Sequence, residues 1–231
     1  MSPARQRARR GEGAALREEI LSVARELLAE TGSEEAVSIR AVADRVGVTP
    51  PAIYLHFADK EALLGEVCNQ VFTALDEAME AAAADTEDPL EALRERGLAY
   101  VHFAIANPEH YRLVMMRRPL PGAPESAADM MTEGAFAHLL EAVRRCQDAG
   151  VMRADEDPFQ LGLVLWAAAH GIASLVIAKP NLPWDQLQDV ITRTIDSAGL
   201  GVAVTSMSPD YQGAFGNPSS SLPFASQSPE R

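Results

Sequence analysis

Apolar residues recur along this chain at helical spacing from residue 14 to about residue 199, and no run of β alternation interrupts them. A chain patterned this way folds by laying helix on helix. Local start and stop signals divide it into about nine helices. The first covers residues 14–31, with Ile20, Val23, Ala24, Leu27 and Leu28 on one face and Gly32 as its stop. Ser38 caps a short second helix ending near Arg45, and Gly47 and Val48 make a turn. Thr49 caps another short helix, with Pro50 at its first position, where a missing N–H does no harm. Asp59 caps a long fourth helix carrying Leu63, Leu64, Val67, Val71, Phe72 and Leu75. After a break at residues 85–89, Asp88-Pro89 and Asn107-Pro108 each open a helix. A loop at residues 119–124 precedes a helix over residues 125–149, stopped by Gly150. Asp157-Pro158 then opens an apolar helix to about Ala178, and Pro183-Trp184-Asp185 opens the last, to about Gly199. The expected fold class is all-α, with an N-terminal three-helix domain and a C-terminal helical bundle.

Charge is unevenly spread. The net charge of −13 argues against nucleic acid as a partner for the chain as a whole. Residues 1–60, however, carry nine basic and nine acidic residues, whereas residues 61–231 carry eleven and twenty-four. Arg5, Arg7, Arg9 and Arg10 stand in the first ten residues with no acid among them. Residues 1–13 therefore read as a disordered basic arm. Residues 205–231 hold seven serines, four prolines and two glycines, and read as a disordered tail. No run approaches 18 apolar residues and no apolar stretch follows the N-terminal basic residues, so neither a membrane span nor a secretory signal is expected. Cys68 and Cys146 lie far apart on apolar helical faces. They argue against a disulfide framework and a zinc site, and fit a reducing cytoplasm.

The informative segment is residues 37–64, VSIRAVADRVGVTPPAIYLHFADKEALL. Its first half is a short helix, a glycine turn and a second short helix, which is the helix-turn-helix pattern. Ile39, Val42, Ala43, Val46, Val48 and Ile53 make the small core that sets the interhelix angle. Thr49, Pro50, Pro51, Tyr54 and His56 are left to face outward, while Phe57 is expected inside. So few apolar residues cannot stabilise two short helices alone; the first and fourth helices must complete the domain, giving it residues 14–60.

On Ile39, Val42, Ala43, Gly47, Val48, Thr49, Ile53, Tyr54, His56, Phe57, Lys60, Glu61 and Leu63, the segment resembles the DNA-binding domain of the TetR family of bacterial transcription regulators. Farther on, Trp166, His170 and Gly171 resemble the Trp-His-Gly motif of one class of TetR C-terminal domains, and Asn107-Pro108 with Tyr111 and Leu113 fits the same class. The resemblance implies a dimeric repressor that reads a palindromic double-stranded DNA operator and is released by a small apolar effector. The DNA contacts it implies are Ser38, Arg40, Thr49, Pro50, Pro51, Tyr54, His56 and Lys60. Pro50-Pro51 departs from the glycine or small polar residue common in the family. It removes two backbone donors, so reading there relies on shape, on thymine methyls and on Tyr54.

Residues 61–204 are the expected effector and dimerisation domain, with Phe72, Tyr100, Phe103, Tyr111, Met115, Phe136, Trp166 and His170 as candidate cavity residues. Met115, Met116, Met130 and Met131 suit an adaptable apolar ligand. Trp166 and His170, four apart, are equally readable as plain packing. Two alternatives stay open: a DNA-binding regulator without a small-molecule ligand, and a helical carrier or enzyme. The chain contains no His-Glu-x-x-His, Gly-x-Ser-x-Gly, phosphate-binding glycine loop or Cys-x-x-Cys, and its five histidines show no metal-ligand spacing. The expectation is a non-enzyme with no catalytic residue, metal or cofactor, located in the cytoplasm.

Overall fold

Capping side chains open four of the described helices. The computed structural model describes residues 12–116 and 134–207. Its helices are α1 (Glu12–Thr31), α2 (Ile39–Val46), α3 (Pro50–Tyr54), α4 (Lys60–Ala83), α5 (Pro89–Ala106), α6 (Pro108–Met115), α7 (Gly134–Asp148), α8 (Pro158–Ala178) and α9 (Leu187–Met207). Among the described residues there is no strand. Ser38 Oγ accepts the Ala41 N–H at 3.1 Å, and Asp59 Oδ1 accepts the Ala62 N–H at 2.7 Å. Gly47 closes α2 at a φ of 79°, the left-handed conformation in which glycine meets no Cβ penalty. Thr49 occupies the N-cap of α3, but its side chain makes no capping bond there.

Three apolar clusters hold the helices together. The first is the core of the N-terminal domain, where Ile20, Leu21, Val42, Ile53 and Phe57 meet Leu63, Leu64 and Val67 of α4. Leu113 of α6 is buried in that same core. The second joins α4, α5, α6, α8 and α9 through residues such as Leu75, Val101, Tyr111, Ala173 and Ile191. The third packs α7 against α5, α8 and the end of α9. Helices α4 and α6 therefore belong to both halves of the molecule.

Two sequence expectations need correction. Helix α9 begins at Leu187, later than Pro183, and continues through Gly199 and Gly201 to Met207. Val202 and Ala203 are buried, and that packing outweighs the weak helix preference of the glycines. Helix α8 is, by length and composition, apolar enough to cross a membrane, with a mean hydropathy of 2.0; in this fold it packs on α5, α7 and α9. The helix expected over residues 125–149 is present as α7 from Gly134. Its earlier part, the basic arm before residue 12 and the tail beyond residue 207 lie outside the described residues.

Candidate nucleic-acid interface and cavity

On the N-terminal domain, the start of α2 and one side of α3 carry the exposed candidates. Arg40, Thr49, Pro51 and Tyr54 are exposed there, and Ser38 and Pro50 are half-buried beside them. Tyr54 is 54% exposed and Leu55 is 84% exposed. Leu55, not anticipated from sequence, is a large apolar side chain held out beside the tyrosine. Its signal was its place between Tyr54 and His56. His56 departs from the expected full exposure: it is half-buried near Gly13 in the first turn of α1. Lys60 Nζ donates to the Glu34 carbonyl at 2.5 Å. The backbone oxygen thus accounts for a cation at a helix N-terminus, and two ammonium protons remain for other acceptors. Phe57 is core, as expected, with the Arg17 guanidinium 5.2 Å from its ring centroid.

The C-terminal domain holds a half-open cavity of about 1190 Å³ walled by α4, α5, α7, α8, α9 and the end of α6. Six of the eight anticipated residues line it: Phe72, Tyr100, Met115, Phe136, Trp166 and His170. Phe103 does not; it packs between the first two apolar clusters. Tyr111 does not line it either, being fully buried behind the wall. Of the other methionines, Met116 is exposed, and Met130 and Met131 lie outside the described residues.

Tyr111 is instead the middle of a polar relay. Trp166 Nε1 donates to Tyr100 Oη at 3.1 Å, and the Tyr100 and Tyr111 hydroxyls are 2.8 Å apart. Tyr111 Oη lies 2.6 Å from His170 Nδ1, and His170 Nε2 lies 3.2 Å from Ser174 Oγ. Indole N–H can only donate. One ordering satisfies every link and also gives the Tyr100 and Tyr111 protons an acceptor: tryptophan to Tyr100, to Tyr111, to the unprotonated Nδ1, with the Nε2–H passed to Ser174. Burial holds His170 below its ordinary pKa, favouring the neutral ring that this ordering needs. Burial likewise pushes both tyrosines up, keeping them protonated donors.

Helix α6 connects this relay to the other domain. His110 Nε2 donates to the Arg25 carbonyl of α1 at 3.2 Å, next to Tyr111 in the relay. Arg112 donates to the Ile177 carbonyl of α8 at 2.9 Å.

Charged groups on the wall, unforeseen from the sequence, are tied in pairs. Arg96 is buried and takes both Glu80 oxygens, at 2.8 and 2.9 Å. That bond holds Glu80 below the usual carboxylate range. Arg94 is met by Asp196 at 2.6 Å, Glu95 at 2.9 Å and Glu91 at 3.2 Å. Asp76, Glu80 and His138 bring possible metal-ligating atoms within 4.8 Å of one another.

Outside the cavity, Val164 and Leu175 of α8 and Val190 of α9 are exposed, and Leu163 and Leu200 are exposed while also lining it.

Residues 20–67 match the bacterial regulatory proteins of the tetR family, and residues 93–198 match the tetracyclin repressor-like C-terminal domain. No curated protein matches the chain. A solved protein with unknown function from Rhodococcus sp. RHA1 is 28% identical at a TM-score of 0.70, covering 86% of this chain and 100% of that one. A putative tetR family transcription regulator from Shewanella sp. PV-4 is 20% identical, with a TM-score of 0.61 over 81% of this chain and 95% of its own. A TetR family transcription regulator from Marinobacter aquaeolei VT8 is also 20% identical, with a TM-score of 0.63 over 84% and 98%. The last two likenesses concern the fold.

Proposed function

The chain belongs to the TetR family and is a DNA-binding transcription regulator, and from that premise we propose a cytoplasmic, dimeric repressor released from its operator by a small ligand. The observation that carries the proposal is the sharing of α4 and α6 between the cavity wall and the core of the N-terminal domain. A ligand that favours one arrangement of the wall also favours one arrangement of the helix-turn-helix. It acts on the operator only through its different affinity for the two arrangements.

On the DNA side, Tyr54, Leu55, Pro51 and Thr49 enter the major groove. Ser38, Arg40 and Lys60 hold phosphates, and His56 acts from the edge of α1. The unanswered apolar side chains of α8 and α9 support a two-fold dimer across those helices. One five-residue recognition helix reads too little DNA to find its site alone. In the dimer the two α3 helices stand about one turn of DNA apart, roughly 34–36 Å. No role in this scheme calls for a catalytic group.

Nuclease footprinting on DNA upstream of the gene tests the proposal. The expected footprint is two-fold symmetric, with half-sites one helical turn apart, and shrinks when a cavity ligand is added. A single asymmetric half-site, or binding indifferent to every cavity ligand, would overturn it.

A further inference from the structure

The charges around the cavity are unbalanced, and the imbalance bears on what can enter. Five carboxylates, Asp76, Glu80, Glu91, Glu95 and Asp196, stand on or just behind the wall against two guanidinium groups, Arg94 and Arg96. Arg96 is saturated by Glu80, and Arg94 is shared among three acids. Among the described residues, no cation on the wall is therefore left for an anionic ligand. The polar relay offers an anion little more, because the donors from Trp166 to His170 are spent within it. A carboxylate or phosphate brought here would lose its hydration without a partner.

Asp76 stands differently. It lines the cavity one helical turn beyond Phe72, and its hydrogen-bond partner is the His138 imidazole, 2.8 Å away across the α4–α7 contact. Around it the wall is aromatic, with the Phe136 and Trp166 rings 5.6 Å apart. Ring faces attract cations, and more so where water is excluded.

We infer that the effector is a bulky organic cation, its charge set against Asp76 and its apolar body against Phe72, Phe136 and Trp166. This rests on the cavity being the effector site. Neutral molecules of the same shape enter more weakly, and anions are rejected.

The test is calorimetric titration of the full-length protein with three probes of similar bulk: tetraphenylphosphonium, neutral triphenylphosphine oxide and tetraphenylborate. Phosphonium is expected to bind at least tenfold more tightly than the oxide, with no measurable borate binding. Asp76→Asn should reduce phosphonium affinity about tenfold and leave the oxide unchanged. His138→Ala, which removes the competing partner of Asp76, should raise phosphonium affinity; a merely structural His138–Asp76 pair predicts a fall for all probes. Oxide or borate binding as tight as phosphonium, or phosphonium affinity untouched by Asp76→Asn, overturns the charge assignment and leaves the effector cavity standing. Binding of none of the three overturns the inference together with the cavity as a ligand site.

Discussion

Tyr54, the last residue of α3, and Leu55, which follows it, are large side chains held in solvent. Replacing Tyr54 with alanine should weaken operator binding by about 1–3 kcal/mol and leave the melting temperature unchanged. Anisotropy titration and a thermal melt read the two quantities separately. His170 makes the opposite case, a buried group whose charge state matters to the fold. Its folded pKa lies below the ordinary value of 6.5, so the unfolded chain binds the proton more readily. Stability is then complete above that value and declines as pH falls through it towards the lower folded value. The groups facing the ring, Tyr100, Tyr111, Trp166 and Ser174, carry no charge to offset this. Melting temperature should fall as pH drops below 6.5 in the native protein, and fall less steeply in His170→Gln.

At the scale of elements, turn chemistry was the most legible part of the sequence. Ser38, Gly47, Pro50 and Asp59 mark the ends of α2, α3 and α4 because capping and left-handed φ are local requirements that a few residue types meet. Gly47→Ala should destabilise the domain by about 1–2 kcal/mol through backbone strain alone, since a Cβ there meets nothing within 4 Å. Urea denaturation measures that loss. Helix ends governed by distant packing were not legible: α9 passes two glycines because Val202 finds a core supplied by α5, α7 and α8, and Ala203 is buried as well. The dual allegiance of α6 was equally hidden. Successive residues of that one helix face α1 through His110, the relay through Tyr111, α8 through Arg112 and the N-terminal core through Leu113. Sequence spacing puts Tyr111 on an inward face without revealing that it stops behind the cavity wall.

For the whole molecule, charge was legible as a total but not as an arrangement. The acid excess after residue 60 is plain in the sequence, whereas the convergence of Asp76, Arg94, Arg96 and Asp196 on one cavity needs three helices in register. The exposed stripe on α8 and α9 also belongs to this scale. Leu175 is 45% exposed in the single chain, so Leu175→Glu should cost the protomer little. It should convert the dimer to monomers in sedimentation and abolish operator binding with Tyr54 untouched.

Linkage between cavity and operator is the central claim. Compounds that raise the melting temperature bind the folded state in preference to the unfolded one. The most direct measurement is anisotropy of labelled operator DNA with the dimer in the presence of each such compound. Cavity ligands should lower operator affinity at least tenfold, and Phe136→Ala should weaken the stabilisation and the release together. Ligands that stabilise the protein through these wall residues yet leave operator affinity unchanged would contradict the account.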